Sequence, residues 1–289
     1  MKIKTPIPSV NFHLWEPCNF SCKFCFASFQ DVRKTLLPKG HLPKEESLRI
    51  VDHLAEAGFE KITFVGGEPT LCPWLAELIV KAKTRGLVTM IVTNGSGLTE
   101  TFLGKVRESL DWVVISIDAL SRQSNLSIGR SINNKSTPDE DYYFGKIELV
   151  KKYEMKLKIN TVVNQYNFKD QSLGNFVKTI KPIRWKIFKA LRVIGQNDAS
   201  FNEVSVSDEQ FQLFIKANKI DSLSWAVTED NEQMTGSYAM IDPAGRFFDN
   251  TFGKHSYSSS ILKVGVNAAM QEIHIDPYKF LKRGGIYEW

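Results

Sequence analysis

The chain has 289 residues, 43% hydrophobic and 24% charged, with a formal net charge of +5. This excludes intrinsic disorder, collagen-like repeats and a coiled coil, and suits one large α/β domain or a main domain with a smaller extension. The basic surplus is too small to wrap nucleic acid, no apolar run reaches the roughly 18 residues that cross a bilayer, and the opening MKIKTPIP is too soon broken by proline for a signal peptide. A soluble, cytoplasmic protein with neither a membrane nor a nucleic-acid partner is expected.

Along the chain a strand is predicted at 10–15, a helix at 44–57, a strand at 61–65, a helix at 74–85 and a strand at 88–93. A helix at 100–109, a strand at 112–117, a helix at 141–152, a strand at 156–163, a helix within 171–179 and a strand at 183–188 follow. This alternation predicts parallel strands with crossover helices. Residues 131–141 read as a polar loop, and beyond Gly195 a helix at 207–217 is followed by short strand-like pieces and a Gly-rich end. Two parts are expected: a core at 1–195, and an extension at 196–289 packed on it and contributing to the ligand site.

The strands alternate rather than reading as continuous apolar runs. Val10, Phe12 and Leu14 oppose Asn11 and His13; Ile62 and Phe64 oppose Lys61 and Thr63. Leu157 and Ile159 oppose Lys158 and Asn160, and Ile183, Trp185 and Ile187 oppose Arg184 and Lys186. A parallel sheet covered by helices on both faces would be apolar on both. A barrel lumen holding a polar, anionic ligand explains the pattern better than a half-solvated antiparallel sheet.

Three of the four cysteines fall together in Cys18-Asn-Phe-Ser-Cys22-Lys-Phe-Cys25, with Cys72 far away. A closed zinc site wants four ligands, usually as two paired knuckles, and there is no second C-x-x-C. Three thiolates suit a cubane cluster that leaves one iron open. Zinc stays as the alternative, in a binding module rather than an enzyme, and Cys72 reads as a small buried hydrophobe.

The C-x3-C-x2-C spacing, with Phe24 before the last cysteine and Phe26 after it, resembles the radical S-adenosylmethionine superfamily. The resemblance implies a partial (β/α)6 barrel of the radical SAM type, with a C-terminal extension closing the barrel mouth. It also implies one [4Fe-4S] cluster on Cys18, Cys22 and Cys25, with S-adenosyl-L-methionine on the open iron. Gly66-Gly67-Glu68-Pro69 follows the second strand and, read alone, could be a tight turn; with the cysteines it matches the element that binds the methionyl amine. Phe26, Gly66, Gly67, Glu68, Thr93, Asn94, Ser96, Ser116 and Arg130 are the candidate cofactor contacts.

Within the superfamily, Cys18 to Phe26, Glu60 to Pro69, Lys158-Ile-Asn-Thr-Val-Val-Asn164, Pro182-Ile-Arg-Trp-Lys-Ile-Phe188 and Phe280-Leu-Lys-Arg-Gly-Gly285 resemble the viperin family. That likeness covers nearly the whole chain. It implies antiviral dehydration of CTP, GTP or UTP to the 3′-deoxy-3′,4′-didehydro nucleotide, a terminator of viral polymerases. A 5′-deoxyadenosyl radical takes hydrogen from ribose C4′, and a flavodoxin or ferredoxin type donor supplies electrons. Lacking the membrane helix of vertebrate viperins, the chain looks like a soluble prokaryotic form, expected to be monomeric.

A nucleoside triphosphate brings about four negative charges, which call for several cations. Lys61, Lys158, Arg184 and Lys186 from the strands, with Lys254, His255 and Arg283 from the extension, are the candidates, joined by Asn11 and Asn160. Lys254-His255 stands where the family carries a basic pair. Tyr238 matches the family tyrosine near the ribose and is the candidate catalytic residue, its ordinary alternative being a core phenol. The tail 280–289 is expected to be mobile without nucleotide and to close over the barrel with it. A peptide-modifying radical enzyme is the rival reading, weakened because no cysteine follows Cys72.

Overall fold

The computed structural model describes residues 7–132 and 135–289. Most of MKIKTPIP and part of the 131–141 loop therefore lie outside the described residues. Ten strands form one sheet: β1 Ser9–Trp15, β2 Lys61–Gly66, β3 Val88–Thr93, β4 Trp112–Ser116, β5 Lys156–Val163, β6 Arg184–Lys189, β7 Ala226–Glu229, β8 Ala239–Ile241, β9 Arg246–Asp249 and β10 Ser256–Ser260. Their order is β10-β9-β8-β1-β2-β3-β4-β5-β6-β7. From β8 through β7 all neighbours are parallel, and β8, β9 and β10 form an antiparallel edge. The sheet is open, so this is a partial barrel as the sequence predicts.

Helices follow the first six strands because the apolar positions recur at helical spacing. In Lys44–Glu56 the buried residues Ser47, Ile50, Val51 and Leu54 lie on one face. Ser207 and Gln210 form a reciprocal capping box that starts Asp208–Ala217. These helices cover the outward strand face, where Phe12, Ile62, Phe64, Ile91, Ile115, Ile159, Trp185 and Ile187 join Leu54, Ile79, Ile147 and Phe214 in one core. No helix among the described residues is long and apolar enough to cross a membrane.

Three local readings are corrected. Ile183 precedes β6 and is 54% exposed, so it does not belong to the buried face. The helices Gln30–Thr35 and Arg122–Ile128 are short insertions whose weak periodicity hides them in the sequence. The helix predicted at 100–109 ends at Val106.

Strands beyond residue 195 supply both flanks of the sheet. β7 pairs with β6 and β8 with β1. The tail packs at the N-terminal ends of the strands, where Tyr287 and Trp289 lie against Met90, Trp112 and Val114. The mouth it closes is therefore the one opposite the cysteine loop, which leaves the carboxyl end of β1.

Candidate active site

The upper zone lies at the carboxyl ends of β1 to β4. Ser21 N–H donates to the Gly129 carbonyl at 3.0 Å, and Lys23 N–H to that of Ile128 at 2.9 Å, seating the cysteine loop on the end of helix Arg122–Ile128. Gly129 has φ +87°, and a Cβ there would stand 2.2 Å from the Ser21 carbonyl oxygen, so only glycine allows this approach. Cys18, Cys22 and Cys25 are free thiols. Burial pushes Cys18 and Cys22 up to about 12 and raises Cys25 as well. Such thiols ionise only when a metal supplies the compensating charge. Among the described residues no three ligand side chains gather around a single-ion point. A cubane instead takes each thiolate on a separate iron, and the donor set fits it. Cys72 is 4% exposed in the main core, as expected of a small hydrophobe.

Gly66 and Gly67 cross the cysteine loop at close range. A Cβ on Gly67 would meet the carbonyl oxygens of Glu16 and Pro17 at 2.1 and 2.4 Å. Glu68 is buried beside them. It accepts from Thr93 Oγ1 at 2.6 Å, from Asn94 N–H at 2.8 Å, and from Thr70 N–H and Oγ1 at 3.0 and 2.5 Å. Burial raises its carboxyl, against the pull of those donors. Glu68 thus braces the turn after β3, and Thr93 is spent on that brace. Asn94 Nδ2 donates to Asn19 Oδ1 and Asn19 Nδ2 to Ser96 Oγ, both at 2.9 Å, tying the turn to the cysteine loop. Ser116 ends β4 opposite Asn160. Arg130 forms a buried ion pair with Asp118.

The lower zone is the polar lumen, a cavity lined by Asn11, Lys61, Lys158, Asn160, Lys186, Tyr238 and Arg283 together with Tyr287. Strand register brings these residues together: Lys158 stands opposite Arg184 and Asn160 opposite Lys186. Lys61, Lys158, Lys186 and Arg283 are each at most 8% exposed, which is costly for cations without anionic partners. Burial, aided by Arg184 and Arg283 and opposed by Glu229, lowers Lys158 to about 7. Burial, then repulsion from Lys158, holds Lys61 well below the ordinary lysine range. Lys61 Nζ lies 4.6 Å from the Tyr287 ring centroid and 4.2 Å from that of Trp289. Arg184 stacks on Tyr287 at 4.1 Å and donates to the Gly284 carbonyl, so it backs the cavity rather than lining it. Among the described residues the buried Asn160 Oδ1 has no hydrogen-bond partner, as an acceptor facing a ligand hydroxyl would have none.

Lys254 and His255 are not brought into this lumen. Lys254 is exposed on the surface. His255 packs among Phe26, Phe29 and Phe248, with ring centroids 4.7 Å apart for the last pair. Burial, against the pull of Asp31 and Asp249, lowers it to about 4. Phe26 also meets the buried His13 edge-on. The sequence reading missed Asn19, Asp118, Glu229 and Tyr287. Asn19 lies inside the cysteine motif and Asp118 lies two residues past Ser116 at the end of β4, on the same alternation, so both carried a weak signal; Glu229 sits on a four-residue strand too short to show alternation.

An open parallel barrel with three cysteines after its first strand, a glycine pair after its second and a cationic lumen defines a radical SAM enzyme. Residues 15–181 match the Radical SAM superfamily. An S-adenosylmethionine-dependent nucleotide dehydratase of Flammeovirga pacifica is 52% identical over 283 residues, 98% of this chain and 96% of that protein. One from Lacinutrix mariniflava is 50% identical over 98% of this chain, which spans 59% of that longer relative. Among solved structures, native anSMEcpe with bound AdoMet and Kp18Cys peptide superposes with a TM-score of 0.70 at 15% identity, covering 91% of this chain and 80% of that one, a likeness of fold alone. The chain belongs to the radical SAM superfamily and, within it, to the family of S-adenosylmethionine-dependent nucleotide dehydratases.

Proposed function

We propose that this protein is a radical SAM lyase that dehydrates a ribonucleoside triphosphate to its 3′-deoxy-3′,4′-didehydro analogue, in antiviral defence. The observation that carries this reading is the lumen, where the basic side chains of Lys61, Lys158, Lys186 and Arg283 are buried together with a single carboxylate, Glu229, in contact with two of them, beside an asparagine oxygen suited to accept from a sugar hydroxyl. A [4Fe-4S] cluster on Cys18, Cys22 and Cys25, with S-adenosylmethionine, supplies the one-electron chemistry that removes a hydrogen atom from the ribose. The Gly66-Gly67 backbone admits the methionyl group closely. Glu68 and Ser116 are its polar contacts, and Arg130, aimed by Asp118, is the partner for its carboxylate. In the lower zone Lys61, Lys158, Lys186 and Arg283 take the phosphates, Arg184 supports them from behind, and Asn11 and Asn160 orient the ribose. Tyr238 shares the cavity wall with Asn11 and has Arg283 over its ring, where it can meet the sugar. His255 lies on the aromatic wall beside Phe26, away from the phosphate cations. The division into a 1–195 core and a 196–289 extension follows this plan, since the extension supplies Tyr238 and Arg283. An external one-electron donor serves the cluster.

Anaerobic turnover of the reconstituted enzyme with each of the four ribonucleoside triphosphates tests the reading. At least one should yield a product lighter by one water together with 5′-deoxyadenosine. Cleavage of S-adenosylmethionine with no nucleotide dehydrated would overturn it.

The depressed lysines set a second expectation. With Lys158 lowered to about 7, a substantial fraction is neutral in the empty lumen at neutral pH. Phosphate favours the ammonium form, so binding takes up protons and weakens as pH rises above 7, by up to about tenfold per pH unit for each lysine that must recharge. Calorimetry on cluster-free protein at pH 8, in buffers of different ionisation heat, should report proton uptake. Affinity flat from pH 6 to 9 would show that these lysines do not meet the phosphates.

A further inference from the structure

The lumen cations divide into two sets. Among the described residues no carboxylate pairs with Lys61, Lys158 or Arg184, which face each other and the aromatic rings of the tail. Lys186 and Arg283 instead share Glu229, at 2.5 and 3.3 Å. Glu229 is fully buried at the end of β7 and does not line the cavity. Its charge also reaches Lys158 and Arg184, without direct contact, but a carboxylate kept only to neutralise the lumen would serve better in contact with Lys61 and Lys158, and would repel an incoming polyanion there.

Its other contact explains the placement. The carboxylate's Oε1 takes Lys186 and Arg283, while Oε2 takes the Tyr238 hydroxyl. Burial opposes its ionisation, but Lys186 and Arg283 outweigh burial and hold its pKa below the usual range. An ionised carboxylate can only accept, so the single phenolic hydrogen must point at Glu229. Lys186 Nζ, 2.7 Å away, then donates into a phenolic lone pair. Arg283 lies 3.6 Å from the centroid of the same ring. Three wall residues from β6, from the loop before β8 and from the C-terminal tail are thus joined at one point behind the wall.

We infer that Glu229 is a positioning residue that fixes the rotor of the Tyr238 hydroxyl and locks Tyr238, Lys186 and Arg283 into one preassembled unit. This rests on the nucleotide dehydratase reading for its consequence, since Tyr238 is the residue of the unit placed to meet the sugar. A mere counter-ion for the two cations would act on nucleotide affinity and independently of the phenol. A positioning residue acts on turnover and through the phenol.

The test uses Glu229→Gln, Glu229→Asp, Tyr238→Phe and the double variant Glu229→Gln/Tyr238→Phe. Glu229→Gln should lower kcat for nucleotide dehydration by about 100-fold, as misplacement of a reacting group does, with KM changed less than about threefold and more 5′-deoxyadenosine released per product. In the Tyr238→Phe background the same change should cost almost nothing further. Independent, multiplicative losses, or a KM effect with kcat intact, would overturn the inference. Glu229→Asp keeps the charge in the buried cluster, so it guards against a folding failure; a melting transition near the parent's with reduced kcat supports the positioning role, and full kcat contradicts it. A readout that needs no turnover is 19F NMR of cluster-free protein carrying 3-fluorotyrosine, with Tyr238 assigned by its loss in Tyr238→Phe. Its resonance should move in Glu229→Gln, and an unmoved resonance would show that the two groups are not coupled. Should the parent dehydrate no nucleotide, the dehydratase reading fails, and the NMR result still judges the Glu229–Tyr238 pairing.

Discussion

Replacing Cys18, Cys22 or Cys25 by alanine should abolish cluster assembly and with it all cleavage of S-adenosylmethionine, whereas Cys72→Ala should leave both intact. Each loop thiolate would hold a different iron of a [4Fe-4S] cluster, so no neighbour could substitute for a lost one. Among the described residues the remaining cysteine is buried in the main core, away from the loop. Losing its sulfur removes packing worth about 1 kcal/mol and should lower the melting temperature by a few degrees. Iron content, the visible spectrum and 5′-deoxyadenosine formation report the outcome. A folded Cys72→Ala protein without its cluster would overturn the ligand assignment.

Truncation after Gly285 should separate the two halves of the active site. It keeps Phe280, which is 1% exposed, and Arg283, so the fold is preserved, but it removes Tyr287 and Trp289 from Lys61, Met90, Trp112 and Val114. The lumen then opens to water at the N-terminal ends of the strands, where Lys61, Lys158 and Arg283 line the cavity. The cysteine loop lies at the other end and should still assemble its cluster. Nucleotide turnover should fall by about 100-fold or more as water enters the lumen and Lys61 and Arg184 lose the rings they pack on, while uncoupled 5′-deoxyadenosine rises. Product mass spectrometry beside a 5′-deoxyadenosine assay measures the ratio. If the truncated enzyme couples as well as the parent, the tail is packing and not part of the site. Hydrogen exchange with and without nucleotide tests separately whether the tail tightens on binding, as the sequence leads one to expect.

Several features were legible because they are written in neighbouring residues. The cysteine spacing, the glycine pair after β2 and the strand alternation each lie within one short segment. That is why Lys61, Lys158, Asn160 and Lys186 could be placed on one inward face before any fold was known. The basic pair Lys254-His255 rests on similarity of position, which says nothing about the direction its side chains take. The backbone from Asn250 to Tyr257 turns Lys254 outward and packs His255 against Phe248.

By itself the sequence determined the local chemistry: which strands have a polar face, which thiols share a loop, and the overall βα alternation. Only the tertiary structure decided which polar residues meet. β7 and the stretch before β8 flank opposite sides of the barrel core, yet Glu229 and Tyr238 are hydrogen-bonded, and both reach Arg283 from the tail. It likewise put the tail against Lys61 at the N-terminal end of the lumen and gave Arg130 its Asp118 partner. The physical reason is that periodicity constrains a side chain's face, whereas the partner of a buried charge is set by long-range strand order and register, which no local pattern encodes.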